Sequence, residues 1–155
     1  MEKNSLYLLL SILSIVLLAS CKQQKDIRDQ MDQKTTICYT AIDQTDTAWL
    51  SIDTAGHEVL GLLEFNYDNK KHYVGQIKAA IKGDTLKGHY DFKVNNIDKW
   101  YRNPVAFLKK DATLTMGVGD INLIWGSPFF DEKKAIDYNR GRFVFKQTGC
   151  VIKLP

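Results

Sequence analysis

Three histidines, His57, His72 and His89, fall at intervals that would place them on successive strands. A metal ion would need such donors to converge within about 2 Å of one point. Alternation divides them instead. His57 falls on the apolar side with Val59, while His72 and His89 fall on the polar side with Lys78 and Lys87. No metal site is expected. Beyond residue 20 the serines are Ser51 and Ser127, and neither lies in a GxSxG turn. Glu58 and Glu64 share a face, but six residues of strand separate them by roughly 20 Å, beyond the reach of a glycosidase carboxylate pair. Gly117-Val118-Gly119-Asp120 lacks the third glycine and the following helix of a nucleotide fingerprint. The residue types therefore predict no catalytic group, no cofactor and no enzyme.

The chemistry that does stand out lies at the N-terminus. Lys3 supplies a positive start, and Leu6 to Leu18 form an apolar run of secretory-signal length. Leu18-Ala19-Ser20-Cys21 follows directly and resembles the bacterial lipoprotein signal. That resemblance implies cleavage after Ser20 and acylation of Cys21, which becomes the first mature residue. It also implies three acyl chains. Two or more hold a protein stably, at about 0.8 kcal/mol per buried methylene, so the chain would be membrane-bound without spanning. Lys22 in place of Asp implies sorting to the outer membrane of a bacterial envelope. No acidic export tag follows Cys21, so a periplasm-facing position is expected.

With Cys21 assigned to lipid by that likeness, Cys38 and Cys150 remain as an even pair in an oxidising compartment. They sit on the first strand and just after the last. In a closed meander those strands are neighbours, so a disulfide between them is expected.

The elements that would carry these groups follow from length and pattern. At 155 residues, 45% hydrophobic, the chain has material for one domain with one core. A net charge of +3, spread without a basic block, makes nucleic acid an unsuitable partner. Residues 1–20 are read as the signal, and residues 21–34 as the lipidated cysteine and a flexible, solvated tether. Residues 35–155 are read as a single domain. Within it, turn residues recur about every ten positions between segments rich in Ile, Val, Thr, Tyr, Phe and Trp. Strands are predicted at 35–41, 46–53, 57–67, 71–82, 84–93, 99–109, 112–119 and 141–147. Short links between them make an antiparallel meander.

Alternation assigns Val59, Leu63, Phe65 and Tyr67, then Tyr73, Ile77, Ala79 and Ile81, then Leu86, Tyr90 and Phe92 to one apolar face. Gly61, Gly75 and Gly88 share that face, where they relieve crowding and let a sheet curl. The fold class predicted is all-β, an eight-stranded antiparallel barrel, with a two-layer sandwich as the alternative. The stretch Tyr73-Val74-Gly75-Gln76-Ile77, through Gly83-Asp84-Thr85-Leu86-Lys87-Gly88-His89-Tyr90-Asp91-Phe92, to Val105-Ala106-Phe107-Leu108 resembles small lipoproteins of Bacteroidetes-type bacteria. The likeness covers most of 35–150 and implies a lipocalin-like barrel. It brings no activity with it.

Two functions follow as expectations. One is a binding module for a small apolar or amphipathic molecule, with Tyr39, Trp49, Tyr73, Tyr90 and Trp100 supplying aromatic area with polar tips. The other is a module that binds an envelope protein. Small lipoprotein lysozyme inhibitors have a similar tethered, disulfide-joined barrel, though their Ser- and Tyr-bearing inhibitory loop is missing here. Asp120 to Arg140 is the one long connection and is too apolar for an idle loop. Ser127-Pro128 has the form of a helix start, so a short helix is predicted at about 128–137. Trp125, Phe129 and Phe130 in this segment are read as a plug for one barrel end or as ligand contacts.

Overall fold

Half-buried segments with alternating side chains pair when the links between them are short, and this chain is built that way. A computed structural model describes residues 26–150. The expected signal at 1–20, Cys21 with its expected acylation, and the start of the expected tether lie outside the described residues. The elements are α1 (Ile27–Gln30), β1 (Thr36–Asp43), β2 (Asp46–Asp53), β3 (Val59–Tyr67), β4 (Lys71–Lys82) and β5 (Thr85–Val94). They continue with β6 (Tyr101–Lys110), β7 (Thr113–Met116), β8 (Ile121–Ile124), β9 (Ser127–Phe130) and β10 (Val144–Thr148).

β1 to β7 and β10 close into an antiparallel barrel, in the order β1-β10-β7-β6-β5-β4-β3-β2. Closure rests on β10, which pairs with β1 at Cys38↔Thr148 and with β7 at Phe145↔Leu114. A two-layer sandwich would leave edges there, so the alternative is excluded. Curvature comes partly from inward glycines. A β-carbon on Gly75 would stand 2.0 Å from the Asp91 carbonyl oxygen, and one on Gly88 would stand 2.1 Å from that of Lys78. Only glycine allows β4 and β5 to coil this tightly.

The alternating faces form the core as expected. Leu50, Leu63, Ile77, Val105, Phe107, Leu114 and Phe145 are all buried, and Phe107 meets Phe145 edge-on at 5.6 Å between centroids. Ile81 departs from its expected inward place. It lies one residue from the end of β4 and is exposed. His57 lies in the β2–β3 connection, not on a strand. The Cys38–Cys150 disulfide is present, with 5.1 Å between its Cα atoms and 112 residues between its ends.

Two segments differ from expectation. The segment 21–34, expected as a flexible tether, is docked from Asp26 onward. Ile27 is buried, α1 lies against β3, and Asp26 caps α1 by accepting a bond from the Arg28 amide. The Asp53 carboxylate accepts from the Asp32 amide (2.8 Å), the Thr35 hydroxyl (2.8 Å) and the Ala55 amide (3.0 Å). These bonds, that from the Ala55 amide first, hold its pKa below the usual carboxylate range. One apolar side chain and one long-range acceptor are too sparse a signal for periodicity to register.

The second difference is the helix at 128–137, which does not form. β8 and β9 make a two-stranded hairpin instead, with Ile121 opposite Phe130 and Ile124 opposite Ser127. Its two-residue turn is Trp125-Gly126, with φ of 52° and 78°, the mirror-type turn that suits a twisted hairpin. Asp131, expected to favour a helix start, caps a tight turn by accepting from the Lys133 amide. Burying phenylalanine against the barrel outweighs a local capping signal worth about 1 kcal/mol.

Candidate functional site

The barrel wall is incomplete at one place. β6 has ten residues, but β7 has four and pairs only with its last part, from Phe107↔Met116 to Lys110↔Thr113. Beyond Met116 a single bond, from the Gly117 amide to the Ala106 carbonyl (2.9 Å), continues the ladder. The chain then turns away into the β8–β9 excursion and returns through a two-way bridge between Val118 and Asp137. Beside residues 103–105 of β6 the wall is therefore made of loop. Gly117 must stay small there, because a β-carbon would come within 2.4 Å of the Ile136 side chain.

Behind this gap lies a cavity of about 210 Å³. Its inner wall is aromatic: Phe65, Tyr67, Tyr73, Tyr90 and Phe92. The rings hold one another in place. Tyr90 stacks on Phe92 at 4.7 Å, Phe92 on Tyr73 at 5.3 Å, and Tyr73 meets Tyr67 edge-on at 5.2 Å. Asn103, Pro104, Gly119, Ile121 and Phe130 form the mouth. Tyr90 donates its hydroxyl to the buried Leu63 carbonyl at 3.0 Å, and burial pushes its phenol far above the usual range. Burial also raises Tyr67. The site is thus uncharged along its aromatic wall. The Tyr67 and Tyr73 hydroxyls make no hydrogen bond among the described residues, so both remain free for a ligand.

An apolar cavity of about 150 Å³ can hold benzene, whereas drug-sized ligands need about 300–1,000 Å³. This one suits a single ring or a short aliphatic group. No nucleophile and base come together in it.

Of the residues expected to bind, Tyr73 and Tyr90 line the cavity and Phe130 stands at its mouth. Tyr39 is buried core. Trp49 lies between the inward Ala48 and Leu50, so it faces outward from β2. Trp100 lines a groove on the outside of the barrel. Phe129 packs edge-on against His89 at 4.9 Å, also outside. Trp125 is 100% exposed at the hairpin tip. The expected plug therefore reduces to Phe130, and it closes a side opening, not a barrel end.

Alternation places Phe65, Tyr67 and Phe92 inward, but no local pattern marks them as a site. Asn103, Met116 and Ile121 gave no signal. They meet only because β7 stops early.

Under Phe129 the His89 Nε2 is buried without a hydrogen-bond partner. Burial holds its pKa below the usual histidine value, Arg102 adds to that, and Asp91 opposes it. His72 pairs with Glu64 at 2.6 Å. Among the described residues no group of three acidic, histidine or cysteine side chains is arranged to hold a metal. No family model matches the chain, nor does any curated protein or solved structure at a significant level.

Proposed function

We propose that this protein is a non-enzymatic binding module. It takes a small apolar or aromatic molecule through the gap in its barrel wall, while an acylated Cys21 holds it to the periplasmic face of the outer membrane. The observation that carries the reading is the aromatic cavity of about 210 Å³ with its own mouth between β6 and the Gly117–Gly119 segment. A barrel with no such role would fill that space with side chains.

Native mass spectrometry of the domain from residue 22 onward, taken gently from its own periplasm, should show a bound small molecule. Titration with indole or toluene should shift the resonances of Tyr73 and Tyr90. Val105→Trp, which fills the cavity from β6, should abolish that shift while the barrel stays folded. Saturable binding that survives Val105→Trp would refute the site. Cys21→Ala should release the chain from membranes or leave it as an uncleaved precursor. Tight association with normal processing would refute the anchor.

A second reading, attachment to an envelope protein, is favoured by one observation. Ile121, Leu123, Ile124 and Trp125 are all exposed on the β8–β9 hairpin, and large exposed apolar clusters mark interaction sites. Copurification lost on Trp125→Ala would support it.

A further inference from the structure

Register sets three polar side chains in a row on the outside of the barrel. Gln76 on β4 stands opposite Asp91 on β5, which stands opposite Arg102 on β6. With Trp100, Tyr101 and Ser127 they line an open groove of about 430 Å³, separate from the aromatic cavity. Asp91 accepts from Arg102 Nε at 2.5 Å and from Nη2 at 2.6 Å, so the groove carries both signs and no net charge. The neighbouring Lys93 is likewise paired, with Asp98 at 2.5 Å, while its ammonium lies 5.0 Å from the Trp100 ring centroid.

These pairings narrow the ligand. The one cation in the lining, Arg102, is compensated by Asp91, which disfavours a phosphate or carboxylate there, and the lining is too polar for an acyl chain. What remains is an indole 57% exposed, together with planar polar groups mounted on three paired strands. The Gln76 amide, the Ser127 hydroxyl and Arg102 Nη1 make no hydrogen bond among the described residues. The Asp91 oxygens, one bond each, retain acceptor capacity. A sugar ring needs this combination. Its hydroxyls take paired donors and acceptors from planar side chains, and its C–H face lies against a flat aromatic surface. The volume falls in the range of ordinary ligand sites.

We propose that this groove binds a neutral saccharide, with Trp100 as the stacking platform and Gln76, Asp91 and Arg102 reading the hydroxyls. The site is independent of the cavity ligand.

The full chain, held in a zwitterionic detergent without a sugar headgroup, is titrated with short oligosaccharides of glucose, mannose and N-acetylglucosamine. Tryptophan fluorescence and the Arg102 Nε resonance report binding. At least one of these sugars should bind saturably, with an affinity in the millimolar range or better. Trp100→Ala and Gln76→Ala should each weaken it about tenfold or more, with the melting temperature and indole binding in the cavity unchanged. Trp125→Ala should leave it intact. The proposal is overturned if none of these sugars binds at tens of millimolar, or if only charged sugars bind. It is equally overturned if Trp100→Ala and Gln76→Ala leave the affinity unaltered.

Discussion

Truncating Phe130 should cost the barrel heavily, and truncating Trp125, five positions earlier on the same hairpin, should cost almost nothing. Phe130 is 7% exposed, stands at the cavity mouth, and has the Lys87 ammonium 5.9 Å from its ring centroid. An aromatic side chain buries about 150 Å² or more, which at about 25 cal/mol per Å² is ~4 kcal/mol as an upper bound. Allowing for a compact unfolded chain leaves about 3 kcal/mol. For a protein of this size that lowers the melting temperature by roughly 6–12 °C. Trp125 is fully exposed, so Trp125→Ala should stay within about 0.5 kcal/mol. Its φ of 52° is unfavourable for a bulky residue, and Trp125→Asn should stabilise by about 0.5–1 kcal/mol. Urea unfolding of the three variants measures all of this. Phe130→Ala should also widen the mouth, so indole should enter and leave faster. Equal losses for Phe130→Ala and Trp125→Ala would refute the placement of the hairpin. So would a Phe130→Ala protein as stable as the parent.

Reduction of the disulfide should lower stability by up to ~4–5 kcal/mol in the chain-entropy account, given its 112-residue loop. Native, unreduced protein should leave Cys38 and Cys150 unlabelled by a thiol reagent. His89 gives a pH signature. Its folded pKa lies below the ordinary 6.5, so as pH falls the unfolded chain takes up the proton first. Stability should therefore drop from about pH 6.5 downward until the folded pKa is reached, and His89→Gln should lose that part of the slope. An unchanged slope would refute the buried Nε2. Asp53→Ala removes an acceptor of three bonds and should cost about 2–3 kcal/mol. Hydrogen exchange at the Asp32 and Ala55 amides should rise with it.

The sequence alone determined most of what rests on a short period. Alternation of apolar residues decided which faces of β3, β4 and β5 point inward, and turn residues spaced the meander, so the eight-stranded barrel was legible. The disulfide followed from topology, since a closed meander makes first and last strands neighbours. Tertiary structure alone decided the rest. Ser127-Pro128 reads as a helix start to any local rule, but burial of Phe130 beside β6 outweighs a cap. Ile27 docks through one side chain, which leaves no periodic trace. The cavity depends on β7 ending at Met116 while β6 runs on paired only with β5, a difference in strand length that no residue type encodes. The outer groove likewise exists only through register, which sets Gln76, Asp91 and Arg102 in one row from three distant stretches of chain. Hydrophobic pattern fixes faces because side-chain direction alternates along each strand. Sites need distances across strands, and those are set only when the whole sheet closes.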